Sequence, residues 1–480
     1  MNDKLLVKNS LFNILYRCIN IIFPLITSVY VARILQADSI GKIAAAQNIV
    51  SYFTLLAAMG IPTYGVKLIA RYNKGSDESN RSFWELFTIN ALLSVVCTLA
   101  YYILITYHPY FQNEKLLFYV VGLNLLFNVI NVDWFYQGIQ EYGYIAIRSL
   151  ILKVISLLAM FCFVKNKEDY IIYALIISLA CVGNYVFNII RIRKYINLSF
   201  THLDIMQHIR PVLILFAATI ASEIYVLADT TMLDIMTNNT VVGYYSMSMK
   251  IIKFVRTLVV AISAVFLPQM SYYYFNGELE KFDSLVNKGL HIILVVSLPI
   301  ATGLCIMSQE FTTVLFGSNF DGSVLTTSIL SFSIITVALS NFIGMQFLVT
   351  IGKEKIITIS TCLGAIVNII LNYFLIRNYQ HYGAAVASVA TEFVVTTTQI
   401  VLARRYQRFQ FGIKTVLAPT ICMIIAVLCL KPLPVNDISK LGIIVVVAMV
   451  VYIVVAIIVK DKFVLSIQKA VTDFLRRKQK

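Results

Sequence analysis

Five charged residues of this sequence lie inside two apolar segments long enough to cross a bilayer. The segments are residues 220–236 and 241–267, and the polar turn between them, 237–240, is short enough to make them an antiparallel pair of helices. The charged residues are Glu223, Asp229, Lys250, Lys253 and Arg256. A charge inside a bilayer is costly unless it faces a partner or a water-filled cavity, so we expect these side chains to serve a function.

The depths of these charges suggest what that function is. Measured from the turn, Asp229 and Lys250 lie about 11 Å deep and Glu223 and Arg256 about 20 Å deep, at a rise of about 1.5 Å per residue. They could form two buried ion pairs that only hold the helices together, or they could belong to a binding site. Lys253 has no carboxylate at its own depth, so cations are in excess. A basic surplus inside a membrane suits an anionic cargo.

The composition predicts an all-α polytopic membrane protein. Of the 480 residues, 59% are hydrophobic and 13% are charged, a balance that soluble globular proteins do not have. We count roughly fourteen apolar segments of spanning length. They fall at about residues 10–35, 41–61, 83–107, 115–137, 143–164, 170–191, 211–236, 242–268, 286–308, 324–350, 356–376, 382–404, 413–430 and 441–459.

The formal net charge of +15 could indicate binding to nucleic acid, but the distribution of the basic residues along the chain indicates membrane topology instead. With the N-terminus inside, the loops predicted to be cytoplasmic carry about 25 Lys and Arg residues, against about 7 on the other side, as the positive-inside rule requires. Both termini are therefore predicted to be cytoplasmic. The basic tail, 461–480, is expected to lie against anionic lipid. Membrane lipids are expected partners, and nucleic acid is not.

Polar residues inside other apolar segments extend the candidate site. The first span carries a polar face at helical spacing that includes Arg17 and Asn20; it either lines a cavity or is a buried structural stripe. Lys67 follows the second span. Lys153 and Glu392 each lie about ten residues into an apolar segment, where charge is costly. The basic residues and Asn20 are candidates for binding cargo, and Glu223, Asp229 and Glu392 are candidates for ion coupling.

Three sequence patterns recur in the same order in the two halves of the chain. Residues 40–50 resemble 242–252, residues 137–141 resemble 351–355, and residues 191–195 resemble 402–406. The repeats predict two parallel six-helix lobes, 1–195 and 196–406, around a central cavity with a cargo site near the membrane midplane. Two additional helices, 407–460, and the basic tail, 461–480, complete the predicted domains.

The sequence lacks the residue patterns of common catalytic and metal sites. There is no phosphate-binding loop ending in Gly-Lys-Ser/Thr, which argues against ATP hydrolysis. The histidines have no metal-ligand spacing, and we expect His208 to lie in a solvated loop. Glu85 and Asp133 lie near predicted cytoplasmic span ends and are expected to be interfacial. No cofactor, metal ion or catalytic residue is therefore predicted, and we expect a transporter rather than an enzyme.

The order of several short motifs resembles the polysaccharide transporter (O-antigen flippase) family, part of the multidrug/oligosaccharidyl-lipid/polysaccharide flippase superfamily. The likeness runs from about residue 10 to 405. It is carried by Ala32-Arg33-Ile34-Leu35, Asp133-Trp134-Phe135-Tyr136-Gln137-Gly138, Asp229-Thr230-Thr231-Met232-Leu233, Val242-Gly243-Tyr244-Tyr245-Ser246, Leu315-Phe316-Gly317, Leu371-Asn372-Tyr373 and Tyr382-Gly383-Ala384-Ala385. The chain departs from the family at Pro268-Gln269, where the family commonly continues with arginine.

The resemblance implies a fold of two six-helix lobes plus two helices, and it implies a cargo. That cargo is an oligosaccharide repeat unit on a polyprenyl pyrophosphate, moved from the cytoplasmic to the outer leaflet of the bacterial inner membrane for O-antigen or capsule synthesis. A polysaccharide polymerase and chain-length proteins are the partners that it suggests. Lysine and arginine at mid-depth agree with a pyrophosphate headgroup.

The energy source and the exact class of protein stay open. Without ATP, a proton or sodium gradient or the membrane potential would have to drive alternating access, about 2.3 kcal/mol being available per charge per 100 mV. A drug/ion antiporter of the same superfamily would share the fold, although exporters of organic cations favour an acidic cavity. A membrane-bound polymerase or ligase would act on the same lipid-linked sugars, but the lack of a large outer loop disfavours it. A flippase of peptidoglycan precursors would differ only in how it recognises sugar and peptide.

Overall fold

The chain folds into helices joined by turns and loops in a computed structural model. The structure describes residues 3–197, 203–466 and 468–469, apart from the side chains of residues 3–19, 21, 22, 218, 221 and 222. Across this described part of the chain there is no β-strand. The predicted all-α fold is therefore confirmed.

The helices fall into two compact units, residues 1–246 and 247–480. In the first unit they are α1 (Asp3–Ala58), α2 (Ile61–Ile69), α3 (Asp77–Tyr107), α4 (Lys115–Leu126), α5 (Asp133–Gly138), α6 (Tyr142–Phe163), α7 (Tyr170–Ile192) and α8 (Met206–Met236). Helix α9 (Asn239–Ala264) belongs partly to each unit. The second unit contains α10 (Leu267–Phe275), α11 (Leu279–Ile306), α12 (Ser308–Phe316), α13 (Ser323–Ser331), α14 (Ser333–Asn341), α15 (Glu354–Ala403), α16 (Ile413–Leu430) and α17 (Asp437–Ile458).

Many of these helices have the length and composition of membrane spans. In the described residues, ten are long and apolar enough to cross a bilayer, and an eleventh span results if the bent pair Phe23–Ala58 and Ile61–Ile69 is counted as one. The protein is therefore a multi-pass membrane protein.

Two of the longest helices contain breaks where the sequence predicts the end of one span and the start of the next. Residue Gln36 in α1 has φ 62° and ψ 177°, and Gln380 in α15 has φ 50° and ψ −130°. A methyl group added at Gly383 would overlap the Leu375 carbonyl and lie 2.9 Å from the backbone nitrogen of Ile376. Residues eight apart in a continuous helix are separated by about 12 Å. The chain therefore reverses at Gln380, and α15 is a pair of antiparallel helices; the total of fourteen spans stays a prediction.

The local structure of each unit supports the repeat. Helices α2 and α10 both contain nine residues and both have proline in the first turn. The turns before α6 and α15 also match, since Gln140 and Gly352 both have positive φ. In each turn the backbone amide of the following residue donates to the carbonyl five residues before it, at 2.9 and 2.8 Å respectively. These turns are 212 residues apart (352 − 140), close to the predicted offset of about 214. The predicted lobe boundary at 195/196 stays a prediction.

Aromatic and apolar packing positions the ends of the spans in the first unit. Phe83 of α3 stacks on Trp134 of α5, with ring centroids 5.6 Å apart, and both are buried. Gly65 in α2 lies directly against the Trp134 ring, so a larger residue there would displace the indole. This cluster fixes the short helices α2 and α5 against the start of α3.

The last two helices are packed onto α11 in the second unit. Tyr452 of α17 donates to the Val295 carbonyl at 2.9 Å, within an apolar cluster that includes Val416 and Met423. Beyond α17, Asp461 accepts a hydrogen bond from His291 at 2.7 Å. Residues 413–461 are thus held to α11 at several points along its length.

Candidate functional site

Two residues predicted separately as cargo ligands meet in the first unit. Lys153 in α6 donates a hydrogen bond to the Asn20 side-chain oxygen in α1, and its ammonium lies 5.6 Å from the centre of the Phe23 ring. Lys153 is half-buried, and Asn20 is exposed. An amide oxygen and an aromatic face both stabilise an ammonium group without neutralising its charge. Arg17 is expected one turn before Asn20, but its side chain lies outside the described residues.

Asp229 is buried in α8, with 4% of its surface exposed. Tyr245 of α9 donates to its carboxylate at 2.6 Å. Close by, Asn48 and Tyr52 of α1 both bond the Thr231 hydroxyl, at 2.6 and 3.0 Å. The Asp229 carboxylate thus accepts a hydroxyl hydrogen bond, and an amide and a second phenol bond the threonine two residues further along α8. Its predicted pairing with Lys250 stays a prediction.

Arg256 and Glu392 form an ion pair in the second unit. Their closest nitrogen and oxygen atoms are 3.8 Å apart, and both side chains are largely buried. Depth along the helical pair predicts Glu223 as the counter-charge of Arg256; Glu223 is exposed, and this pairing stays a prediction. Glu392 lies in the second half of α15, 136 residues after Arg256 (392 − 256). Residue spacing within one pair of helices cannot predict a contact between residues so far apart in the chain.

The remaining predicted cargo ligands are basic residues on helix surfaces. Lys250 is half-buried and Lys253 exposed, both on α9, and Lys67 is exposed on α2. The long stems of such side chains allow their charged ends to reach water or a phosphate at some distance from the backbone. Their roles stay predictions.

A polar cluster in the first unit was missed by the sequence analysis. Arg148 of α6 donates to Asp133 at 3.0 Å and to Asn184 at 2.9 Å, and Asn188 of α7 donates to the same carboxylate. Asp133 is therefore the acceptor of a packed polar cluster, a role that the expectation of an interfacial residue did not include. The signal in the sequence is the group of three polar residues, Asn128, Asn131 and Asp133, inside the predicted span 115–137.

The same stretch breaks the fourth span. Helix α4 ends at Leu126, a 3₁₀ turn covers Phe127–Ile130, and α5 begins at Asp133. The Asn90 amide of α3 donates to the Asn128 carbonyl at 3.2 Å. Side chains thus satisfy backbone groups that the break frees, which is the condition for non-helical backbone inside a membrane.

Glu85 lies in a different environment from the one that the sequence analysis predicts. It is 1% exposed and accepts hydrogen bonds from Arg81, the Asp204 amide, Gln207 and His208. His208 is buried as well and contacts the Tyr64 hydroxyl with its other ring nitrogen at 2.9 Å. The expectations of an interfacial Glu85 and a solvated His208 are wrong, because tertiary packing folds the start of α8 over α2 and α3.

The described residues contain no group of three or more His, Cys, Asp or Glu side chains that could hold a metal ion. The polar groups of the two units can instead bind anions through ammonium and guanidinium groups, and protons or small cations through carboxylates.

Comparison with known proteins identifies the family. The model of the family described as polysaccharide biosynthesis protein matches residues 6–273, which is more than half of the chain. The chain belongs to this family. The resemblance to polysaccharide transporters that the sequence motifs indicated is confirmed.

Three named proteins are distant relatives of the chain. A provisionally named O-antigen transporter of Shigella dysenteriae is 23% identical over 398 residues, covering 81% of this chain and 97% of that protein. A similarly named protein of Escherichia coli K12 is 20% identical, covering 82% of this chain and 96% of the relative. A provisionally named flippase of low-salt glycan biosynthesis in Haloferax volcanii is 24% identical over 180 residues, 38% of each chain.

Solved structures of other proteins share the fold of this chain. The lipid II flippase MurJ in an inward closed conformation has a TM-score of 0.77 at 14% identity, covering 96% of this chain and 99% of that one. An inward-facing multidrug transporter of the MATE family has a TM-score of 0.61 at 11% identity, covering 80% and 93%. The chain therefore has the helical fold of these transporters, as predicted.

Proposed function

We propose that this family member is a flippase that moves a polyprenyl-pyrophosphate-linked oligosaccharide from the cytoplasmic to the outer leaflet of the inner membrane. The names of its relatives support a lipid-linked glycan as cargo. The observation that carries the proposal is Lys153, an ammonium inside an apolar helix that Asn20 and Phe23 orient. A diphosphate headgroup crossing the membrane needs such cations, because it cannot shed its charge at neutral pH.

The ion pair of the second unit suggests how headgroup binding and release alternate. At 3.8 Å, Arg256 and Glu392 are held loosely, and a phosphate can replace the carboxylate as the partner of the guanidinium with better bidentate geometry. Glu392 would restore the pair when cargo leaves. Lys250, Lys253, Lys67 and Arg17 are the further cations that this site would use.

The energy source in this proposal is an ion gradient or the membrane potential, acting through Asp229, Glu392 or Glu223. A buried carboxylate is costly as an anion and much less costly as a neutral acid, so its protonation can bias two conformations. The proposed product supplies a polymerase of O-antigen or capsule, with both termini of the flippase in the cytoplasm.

The test is reconstitution of the purified chain into vesicles with a fluorescent polyprenyl-pyrophosphate oligosaccharide. A membrane-impermeant quencher added outside measures the rate at which label changes leaflet. We expect wild type to accelerate flipping, Lys153→Ala to lose most of the rate, and Lys153→Arg to retain part of it. Lys165→Ala, which removes an exposed lysine just beyond the end of α6, is the matched control.

Two results would contradict the proposal. One is a flipping rate no higher than in empty vesicles, with gradients of proton or sodium imposed. The other is equal activity of Lys153→Ala and Lys165→Ala, which would remove Lys153 from the cargo path. Export of organic cations by the same vesicles would favour the drug/ion antiporter instead.

A further inference from the structure

Two glycines lie where α1 and α9 cross within the first unit. A methyl group added at Gly41 would overlap the Asn239 carbonyl, and one added at Gly243 would overlap the Ala37 carbonyl. The position of a methyl group on Gly41 is also only 3.0 Å from the backbone nitrogen of Gly243. The two backbones are therefore in direct contact, with no side chain between them.

The contact is reciprocal because the crossing segments are equivalent parts of the repeat. Ala37 is the first residue after the break at Gln36, and Gly41 follows it by four residues. Asn239 is the first residue of α9, and Gly243 again follows by four. Each glycine therefore packs against the carbonyl group of the first residue of the other segment.

Charged residues next to the crossing tie α1 to its other neighbours in the first unit. Lys42, next to Gly41, lies 2.8 Å from Glu114 and 3.4 Å from Asp38. Tyr170 donates to the second oxygen of Glu114 at 2.7 Å. These contacts join the start of the second span to the starts of the fourth and sixth.

Hydrogen bonds also join each of the two crossing helices to α8, close to the glycine on α9 and two to three turns beyond the glycine on α1. Asn48 and Tyr52 of α1 bond Thr231 of α8, and Tyr245 of α9 bonds Asp229 of α8. The glycine crossing is thus the outermost of a series of contacts between the second, seventh and eighth spans.

We propose that Gly41 and Gly243 form a seal that closes the outer side of the transport path and parts when cargo leaves. The positive-inside topology places this crossing outside, so the inference rests on the proposed function for its orientation. Backbone-to-backbone packing leaves no gap for water or a headgroup. Dispersion and Cα–H···O contacts are each weak, so the seal can open without breaking a strong bond.

The seal predicts that a methyl group at either glycine keeps the outer side open. The reporter is Asn48→Cys, in a chain whose native cysteines are replaced, because Asn48 is buried behind the crossing. Its bond to Thr231 is then missing from the parent and from every variant alike, so differences in rate report the second substitution. The rate of its reaction with an impermeant maleimide added outside measures opening. Gly41→Ala and Gly243→Ala should raise this rate by roughly 5- to 100-fold, the range that overpacking of a well-fitted contact implies.

Gly303→Ala in α11 is the matched control, because a methyl group there meets nothing within 4 Å. Its labelling rate should equal that of the parent. Equal rates in the parent, Gly41→Ala and Gly243→Ala would overturn the seal, and so would an increase of the same size in Gly303→Ala.

A second pair of variants keeps the test decisive if the alanine variants do not fold. Lys42→Ala removes ion pairs next to the crossing, and Tyr52→Phe removes the bond to α8 three turns further along α1; neither adds an atom to the crossing. Each should raise labelling about 2- to 10-fold, as loss of one hydrogen bond or ion pair implies, and no change in either would also refute the seal. Labelling requires no cargo, so failure of the seal and failure of the flippase proposal give different results.

Discussion

At the scale of individual residues, the charged side chains inside the predicted spans contact chemically different partners. Lys153 is held by an amide and a ring, Asp229 by a phenol, and Arg256 by a carboxylate. A buried ion pair contributes little net stability, but a lone buried charge is strongly unfavourable. In the proposed mechanism, neutral partners therefore leave Lys153 available to an anionic ligand, while Arg256 would exchange the Glu392 carboxylate for a phosphate.

The exchange at Arg256 predicts opposite effects of two substitutions. Glu392→Gln removes the competing carboxylate, so the KM for lipid-linked oligosaccharide should fall about 10-fold, the effect of losing a modest competing interaction of about 1.4 kcal/mol. The maximal rate should fall too, because release becomes slower. Arg256→Gln should raise the KM instead.

Both variants can be compared with wild type in the vesicle flipping assay. Thr361→Ala, on the first half of α15, changes a residue outside the ion pair and is a suitable control. A KM that Glu392→Gln leaves unchanged would exclude competition between Glu392 and cargo.

The buried Glu85 predicts a strong effect on stability. Glu85→Gln loses a charge that four groups contact, so the free energy of unfolding should fall by roughly 2–4 kcal/mol. Thermal unfolding in detergent measures the change. Glu78→Gln on the same helix is exposed and should unfold like wild type; a wild-type melting temperature in Glu85→Gln would refute a structural role for the network.

Among the helices, the breaks determine where the chain turns and where polar groups collect. Gln36 and Gln380 adopt positive φ without being glycine, and the fourth span is interrupted before Asp133. Such conformations cost free energy and persist because the surrounding helices enforce them. They allow short connections between antiparallel spans.

The positive φ values predict that glycine is more stable than glutamine at these two sites. Gln36→Gly and Gln380→Gly should each raise the free energy of unfolding by about 1 kcal/mol, because glycine adopts this backbone without steric strain. Gln47→Gly, inside the regular part of α1, should lower it by a similar amount. Destabilisation by all three substitutions would show that these breaks are not strained.

The contact between Asp461 and α11 predicts a dependence of stability on pH. Burial alone would raise the pKa of Asp461, but hydrogen bonds from Thr415, the Val464 amide and His291 outweigh it and hold the pKa below its usual value. A carboxyl group with a lowered folded pKa stabilises the protein above its unfolded pKa of about 3.9, and that stability is lost as pH falls through the folded value.

Asp461→Asn should therefore melt at a lower temperature than wild type at pH 6, and the difference should shrink towards pH 3. Asp321→Asn, which alters an exposed carboxylate, is the control. A difference from wild type that stays constant between pH 6 and pH 3 would contradict the sign of this pKa shift.

Across the whole molecule, basic residues set the orientation that the proposals require. Lysine and arginine concentrate in alternate loops between the predicted spans, and both ends are predicted to be cytoplasmic. The crossing at Gly41 and the turn at Asn238 would then face outwards. The basic turn at Arg404 and Arg405 would face inwards.

Reporter fusions test this orientation directly. Alkaline phosphatase, which is active only outside the cytoplasm, should be active when fused after Asn238 and inactive when fused after Arg405. Green fluorescent protein at the C-terminus should fluoresce. The reverse pattern would contradict the proposed direction of transport and place the glycine crossing on the inner side.

Features that depend on local chemistry follow from the amino-acid sequence alone. Long apolar segments require helices in a membrane, since every backbone polar group must be satisfied within the segment. The motifs between residues 10 and 405 indicated the family. The positions of Lys153, Asp229 and Glu392 inside apolar segments marked them as candidates, because the cost of burying charge does not depend on the fold.

Which of these residues meet depends on the packing of distant helices. Asn20 contacts Lys153 across 133 residues, and Arg256 contacts Glu392 across 136 (392 − 256). Helical periodicity extends over one element, so it did not identify Glu392 as a partner of Arg256 and it treated Glu85 and Asp133 as interfacial. The sequence showed the two glycines only as part of a repeated motif. Glycine permits another backbone to approach closely, and only the tertiary structure shows which backbone does so.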